Sequence, residues 1–369
     1  MKTVRRLLYR DIVGAVLFTA VAFLSLFFFI DFVDELKDVG KRGFQPWHAA
    51  LAGMLELPGH FYELVPIAVL IGTIYALANL AQTSQFTILR TGGLGPGRAL
   101  LLLAALAAAF SAVTFVVGDY LVPLSERQRV VLRASFRGEI DLGRAGAWLK
   151  DHRTTPEGER TYSISVSSAT PGGQLEGVRI FEFDPDGRLL TRLSAARAAV
   201  GEDAVWTLSD VEATRWQAAD DSEPRVEERR IGSMPWESSL DADVVAAAVL
   251  PIDTMSTLEL FRYSRHLADN EQAGQRYEIQ FWKKALYPFA CLVMVALALP
   301  FAYLQGRGGG ISFKVFGGIM LGISFVLLNN LSSHLGLLRN WTPWVVAAVP
   351  SLAYLVMSLA AFSWLVRYR

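Results

Sequence analysis

The chain of 369 residues is 52% hydrophobic and 19% charged, whereas an ordinary globular domain is about 25% charged. Lys+Arg and Asp+Glu stand at 35 each, so no basic excess points to nucleic acid, and a single cysteine, Cys291, excludes an internal disulfide framework and a Cys-rich zinc site. A wholly soluble enzyme and a disordered chain both fit this balance poorly.

The charges are unevenly spread. The windows 12–30, 64–89, 99–118, 285–306, 315–338 and 340–366 contain no Asp, Glu, Lys or Arg. A spanning helix needs about 20 mostly apolar residues, so each window predicts one transmembrane helix. Pro66, Gly72, Pro288, Pro300 and Pro350 fall inside them, which membrane helices tolerate better than soluble ones. Met1 to Arg6 resembles the basic start of a secretory leader. The apolar run from Ile12 to Ile30 exceeds the roughly 7–15 residues of such a segment, however, and is read as a retained first helix.

With the N-terminus in the cytoplasm, the short inside segments hold Lys2, Arg5, Arg6, Arg10, Arg90, Arg98, Arg307, Lys314, Arg367 and Arg369. The opposite short loops mix Lys37, Lys41, Arg42 and Arg339 with Asp31, Asp34, Glu35 and Asp38. The positive-inside rule therefore puts both termini inside, and in a bacterial cell the long insertion is periplasmic.

That insertion reads as β structure. Apolar and polar residues alternate over Tyr162–Val166 and again over Val178–Phe183. Asp184-Pro185-Asp186-Gly187 is a turn signal, and Arg188–Leu193 resumes the pattern. Shorter strands are expected near Val205–Leu208 and Glu212–Trp216, giving an all-β sandwich or roll. Glu223 to Arg230 reads as a solvated hairpin, and 253–275 as a helix returning to the bilayer. The expected fold is an α-helical membrane protein with six transmembrane helices, interrupted by a periplasmic all-β domain. Its parts are 1–122, 123–275 and 276–369.

Catalytic readings fail. Gly92 to Arg98 and Gly306 to Gly310 are glycine-rich but lack the Lys-Ser/Thr ending and preceding strand of a phosphate loop, so the chain carries no ATPase. His48, His60, His152, His266 and His334 are scattered without ligand spacing, and no metal or cofactor is expected. Within the spans only Glu63 and Asp119, at their rims, are ionisable, which argues against a proton-driven carrier. Asn79, Ser111, Thr114, Ser324, Asn329 and Asn330 fit helix–helix hydrogen bonds at least as well as transport. Gly318 and Gly322 form a small-xxx-small face for close helix packing, of which a subunit interface is a special case.

Several strings in order resemble the LptF/LptG permeases of the lipopolysaccharide exporter over essentially the whole chain. They are Phe32-Val33-Asp34-Glu35-Leu36-Lys37, Ala78-Asn79-Leu80-Ala81-Gln82-Thr83-Ser84-Gln85, Gly118-Asp119-Tyr120-Leu121-Val122-Pro123, Gly146-Ala147-Trp148-Leu149-Lys150-Asp151 and Arg276-Tyr277-Glu278-Ile279-Gln280-Phe281-Trp282-Lys283-Lys284. The first string and Trp282-Lys283-Lys284 are nearer the LptG branch. The resemblance implies a heterodimer of LptF with LptG on a dimeric LptB ATPase, with LptC attached. Such an assembly extracts lipopolysaccharide from the inner membrane and passes it to a periplasmic jelly-roll bridge. This chain departs from the pattern at Ser84-Gln85, where the family has Ser-Glu, at Asp31, where it has Lys, and at Asp38, where it has a cation.

Two sites follow as expectations. A lipid path is lined by first-span residues, Leu64 and Val65, and a stripe of Ile319, Ile323 and Val326, with Lys37, Arg129 and Arg133 as phosphate-binding cations at its rim. A cytoplasmic coupling helix spans roughly 84–91: Ser84 caps it, Gln85 supplies a polar anchor, Phe86 and Leu89 a ridge, and Arg90 a cation. The competing classes are an ion-gradient-driven lipid carrier and a non-transporting scaffold for a periplasmic binding module.

Overall fold

The computed structural model describes residues 2–83, 85, 96–137, 140–141, 147–155, 158–169, 174–201, 205–217, 225–238, 240, 245, 252–269, 274–303 and 311–367. It divides into a unit of Met1–Val39, Pro46–Ser125 and Glu278–Arg369, and a unit of Gly40–Gln45 and Glu126–Tyr277.

The first unit is helical. Helix α1 is Lys2–Glu35 and α2 Pro46–Gln82; α3, Pro96–Val116, passes through a wider turn at Val117–Leu121 into α4, Val122–Arg137. Most of α4, from Glu126, and α5, Thr257–Asp269, belong to the second unit; after them come α6 Gln275–Leu286, α7 Phe289–Tyr303, α8 Ile311–Arg339 and α9 Pro343–Arg367. Five helices among the described residues are long and apolar enough to cross a membrane, and α6 with α7 makes a sixth candidate bent by 52°.

The bend lies at Tyr287-Pro288. Pro288 has no N–H to give, and it disfavours helical backbone at the residue before it. Ser111 on α3 donates its hydroxyl to the Pro288 carbonyl at 2.7 Å. Broken backbone at membrane depth is tolerated where such partners satisfy it. Ser332 on α8 does the same for the Val346 carbonyl of α9 at 2.7 Å, and Ser324 shares a hydrogen bond with the Tyr354 hydroxyl. Of the polar residues expected to join helices, Ser111, Thr114 and Ser324 do so, Thr114 with Cys291 of α7 at 3.4 Å.

Helix α2 is central. Its stretch from Val65 to Leu80 is buried almost all round, together with Ala290, Cys291, Met294 and Ala298 of α7. Helix α1 contributes one stripe at four-residue spacing, Leu8, Ile12, Val16 and Ala20. Glycines permit the closest approaches. A Cβ on Gly72 would lie 2.6 Å from the Val16 backbone nitrogen, and Cβ atoms on Gly318 and Gly322 would lie 2.6 Å and 3.0 Å from Ile74 and Ile67. The small-residue face of α8 therefore packs against α2 within the chain.

The second unit holds one antiparallel sheet: β1 Ile140–Asp141, β2 Ala147–Thr155, β3 Gly158–Val166, β4 Ser168–Ala169, β5 Leu175–Phe183, β6 Leu189–Val200, β7 Val205–Gln217 and β8 Arg225–Glu237. Strands β5 to β8 follow one another as neighbours. The near edge of β5 pairs with β3 along Arg179–Phe183 and with β4 at Leu175 and Glu176. Of the segment read as a solvated hairpin, residues 225–230 are the exposed start of β8, paired to β7, and the first two lie outside the described residues.

Pairing lapses along a row that crosses the sheet at Gly177, Ala196, Asp210 and Gly232. Gly177 and Asp210 take positive φ, +61° and +54°, which Gly adopts freely and Asp more readily than most residues. The buried positions change parity across this row: Leu175 against Val178 and Ile180, Ala195 against Ala198, Leu208 against Val211. Below it, Trp206 and Trp236 meet edge to face at 5.4 Å, and the Arg153 guanidinium lies 4.1 Å from the Tyr162 ring.

The expected returning helix is divided into α5 and the start of α6. Helix α5 opens on a capping box: the Ser256 hydroxyl accepts the Glu259 N–H, and the Glu259 carboxylate accepts the Ser256 N–H at 2.8 Å. Partial burial raises the Glu259 carboxyl, but the Ser256 backbone and Arg127 outweigh it and hold the group below its usual range. Its contribution to folding is therefore present at neutral pH and lost as pH falls through that lowered value.

Candidate functional site

Helix α1 leaves a broad apolar face outside the core stripe, with Leu17, Phe18, Val21 and Phe29 all more than half exposed. On one flank of this face a groove of about 930 Å³ runs between α1, α2 and α8. Phe18, Ala22, Phe23 and Leu26 form one wall, Ile71 and Tyr75 the second, and Val315 and Ile319 the third; Arg10 and Asp11 stand at one end. The polar groups of the wall are partly used up, since Thr19 donates its hydroxyl to the Ala15 carbonyl at 2.8 Å. From Arg10 to Leu26 the wall extends about 24 Å along α1, most of the ~30 Å thickness of a hydrocarbon layer. A groove of this length, apolar along its walls, suits an acyl chain.

The sequence-expected lipid residues divide. Ile319 lines the groove, and Ile323 is 43% exposed one turn further along α8. Leu64 and Val326 are half-buried. Val65, expected on a lipid-facing wall, lies instead in the helical core, because α1, α7 and α8 surround this part of α2. Lys37 is exposed and paired with Asp34 on its own helix end. Arg129 donates through Nη2 and Nε to one oxygen of Glu126, at 2.7 Å and 3.0 Å, and Arg133 is half-buried on the same helix. An anionic ligand at Arg129 must compete with that carboxylate. Gln85 is helical and exposed; Ser84, Phe86, Leu89 and Arg90 lie outside the described residues.

One cluster was missed in the sequence. Asp31 at the end of α1 meets Glu56 and His60 on α2, with one ligand atom from each all within 4.8 Å. The signal was the Glu56-x-x-x-His60 spacing, which places both side chains on one helix face. Asp31 joins them only through the packing of α1 on α2.

The family described as "Lipopolysaccharide export system permease LptF/LptG" matches residues 6–365. The chain is 26% identical over 360 residues to the lipopolysaccharide export system permease protein LptG of Haemophilus influenzae, covering 97% of each chain. It is 26% identical over 358 residues to the protein of that name from Escherichia coli K12, covering 96% of each. With its membrane-span helices and its antiparallel sheet, the chain belongs to the LptF/LptG family of lipopolysaccharide export permeases.

Proposed function

We propose that this chain is the LptG-type half of a heterodimeric permease that takes lipopolysaccharide out of the inner membrane. Its partner is LptF, its energy comes from a separate LptB ATPase dimer, and LptC attaches at the periplasmic side. Both relatives carry the LptG name, and the Phe32–Lys37 and Trp282–Lys284 strings point the same way. The observation that carries the lipid reading is the groove between α1, α2 and α8. Both termini are cytoplasmic and the sheet is periplasmic, an orientation supported by the cationic inside segments.

Three experiments test this reading. A photoreactive residue at Phe18 or Ile319 should capture lipopolysaccharide in whole cells, and one at Val356, exposed on α9, should capture at least tenfold less. Equal capture at all three would remove the groove from the lipid path. In a Cys291→Ala background, a cysteine at Asp186 should react with a membrane-impermeant thiol reagent in intact cells, and one at Thr83 should not. The reverse pattern overturns the orientation. Gentle purification of a tagged chain then identifies the partners, and recovery of LptG rather than LptF beside it would reassign the chain to the other branch.

A further inference from the structure

A second, smaller cavity lies at the start of α1. Arg5, Arg6, Tyr9, Arg10 and Val13 line about 530 Å³ of open space, within the roughly 300–1,000 Å³ range of small-ligand sites. Arg6, Tyr9, Arg10 and Val13 follow one another at three- and four-residue steps and so share one helix face, and Arg5 stands one turn before Tyr9. The three arginines are exposed. Tyr9 is pinned, because its hydroxyl donates to the Leu102 carbonyl of α3 at 2.8 Å, which makes its ring a fixed wall.

Among the described residues, no carboxylate pairs with Arg5, Arg6 or Arg10. The acidic residue next to them in sequence, Asp11, lines the groove between α1, α2 and α8 and not this cavity. Even with Asp11 counted, the excess of charge is positive. Orientation in a membrane asks only for surplus Lys and Arg in the inside segments. It does not ask that three arginines gather around one cavity, where an entering anion lowers their mutual repulsion.

We propose that this cavity binds the phosphate of an anionic glycerophospholipid at the level where α1 enters the membrane. A guanidinium can take two phosphate oxygens at once. Arg6 and Arg10 are one turn apart, roughly 5–6 Å between Cβ atoms, so both can hold the same phosphate while Arg5 adds a third charge. Position along the chain favours a lipid over a soluble anion. The charge-free window opens at Ile12, so the arginines stand at head-group level and Val13 is already inside the apolar stretch. One cavity then offers cations to the phosphate and an apolar surface to the first acyl carbons. In the orientation proposed above this is the cytoplasmic leaflet, and that assignment alone rests on that reading.

The test uses the full-length chain in mild detergent, delipidated and followed by native mass spectrometry with added dioleoylphosphatidylglycerol or dioleoylphosphatidylcholine. The two probes share their acyl chains and differ in net charge. We expect one phosphatidylglycerol per chain, bound more tightly than phosphatidylcholine by roughly tenfold or more. The double change Arg6→Gln, Arg10→Gln should erase that preference. Arg339→Gln, which removes an exposed cation at the end of α8, should keep it. All these side chains are exposed, so thermal unfolding of each variant should match the wild type. Equal binding of the two lipids, a preference that survives the double change, or one lost equally in Arg339→Gln would overturn the site. Displacement of the lipid by millimolar inorganic phosphate would assign the cavity to a soluble anion and overturn the lipid. Detergent has no sides, so these outcomes do not depend on orientation, which thiol labelling at Asp186 and Thr83 tests separately.

Discussion

Replacing Gly72 by alanine should lower the stability of the helical unit by about 1–3 kcal/mol, the usual cost of overpacking a filled core. The added carbon would stand 2.6 Å from the Val16 backbone nitrogen and 2.7 Å from its Cα. Backbone cannot swing aside as a side-chain end can, so α1 must move away from α2. The buried stripe of Leu8, Ile12, Val16 and Ala20 would be partly unseated with it. Gly72→Leu should be worse, with loss of most of the folded material. Gly14→Ala is the control: it lines the groove on α1, with nothing within 4 Å of its added carbon. Thermal denaturation in detergent, followed by gel filtration, reads all three. A Gly72→Ala protein that melts with the wild type would show that the α1–α2 contact is looser than its geometry. Because the groove is walled by the same two helices, lipid capture at Phe18 should fall in Gly72→Ala and persist in Gly14→Ala.

The spans were legible because charge is costly in hydrocarbon, and charge-free windows mark where it is avoided. The same windows hid how the fourth span is built. Window 285–306 carries no charge on either side of Pro288, so composition could not show a break that depends on one absent N–H and on Ser111 from another helix. In the sheet, alternation located β3 and β5, whose inward residues are apolar. It failed for β8, since Arg225 to Arg230 are exposed and present no apolar face. The change of parity at Asp210 was not legible either: a positive φ at an aspartate is permitted by local sequence and fixed only by the neighbouring strands.

The site divides on the same line. Ile319 followed from helical spacing along one element. Val65 did not, because its burial depends on which helices surround α2, and a hydrophobic window is silent on that. Glu56 and His60 were readable as a pair one turn apart, yet Asp31 is 25 residues or more from either and is brought in only by the glycine-tight packing of α1 on α2.

The double change Phe86→Ala, Leu89→Ala should abolish lipopolysaccharide-stimulated ATP hydrolysis, or reduce it at least tenfold, while the chain still inserts. Under the proposed function the work comes from a separate ATPase subunit. In the proposed orientation its motion passes through a cytoplasmic segment, and the one between α2 and α3 is the longest of these in sequence. It contains a cap residue, Ser84, then Gln85, two large apolar side chains spaced three apart, and Arg90. The sequence expectation of a helix with Phe86 and Leu89 on one face matches the usual form of an anchor for a hydrophobic groove, which we propose lies on LptB. Truncating both anchors removes about 1.5–3 kcal/mol each if they are fully buried in the complex, enough to release the ATPase. Gln85→Glu provides the opposite test. A charge-assisted hydrogen bond is about twice as strong as a neutral one, so this change should tighten ATPase association where the facing group is a donor. If the complex keeps full stoichiometry and full coupled turnover after the double change, the motion passes elsewhere and the coupling segment must be sought among the other inside loops.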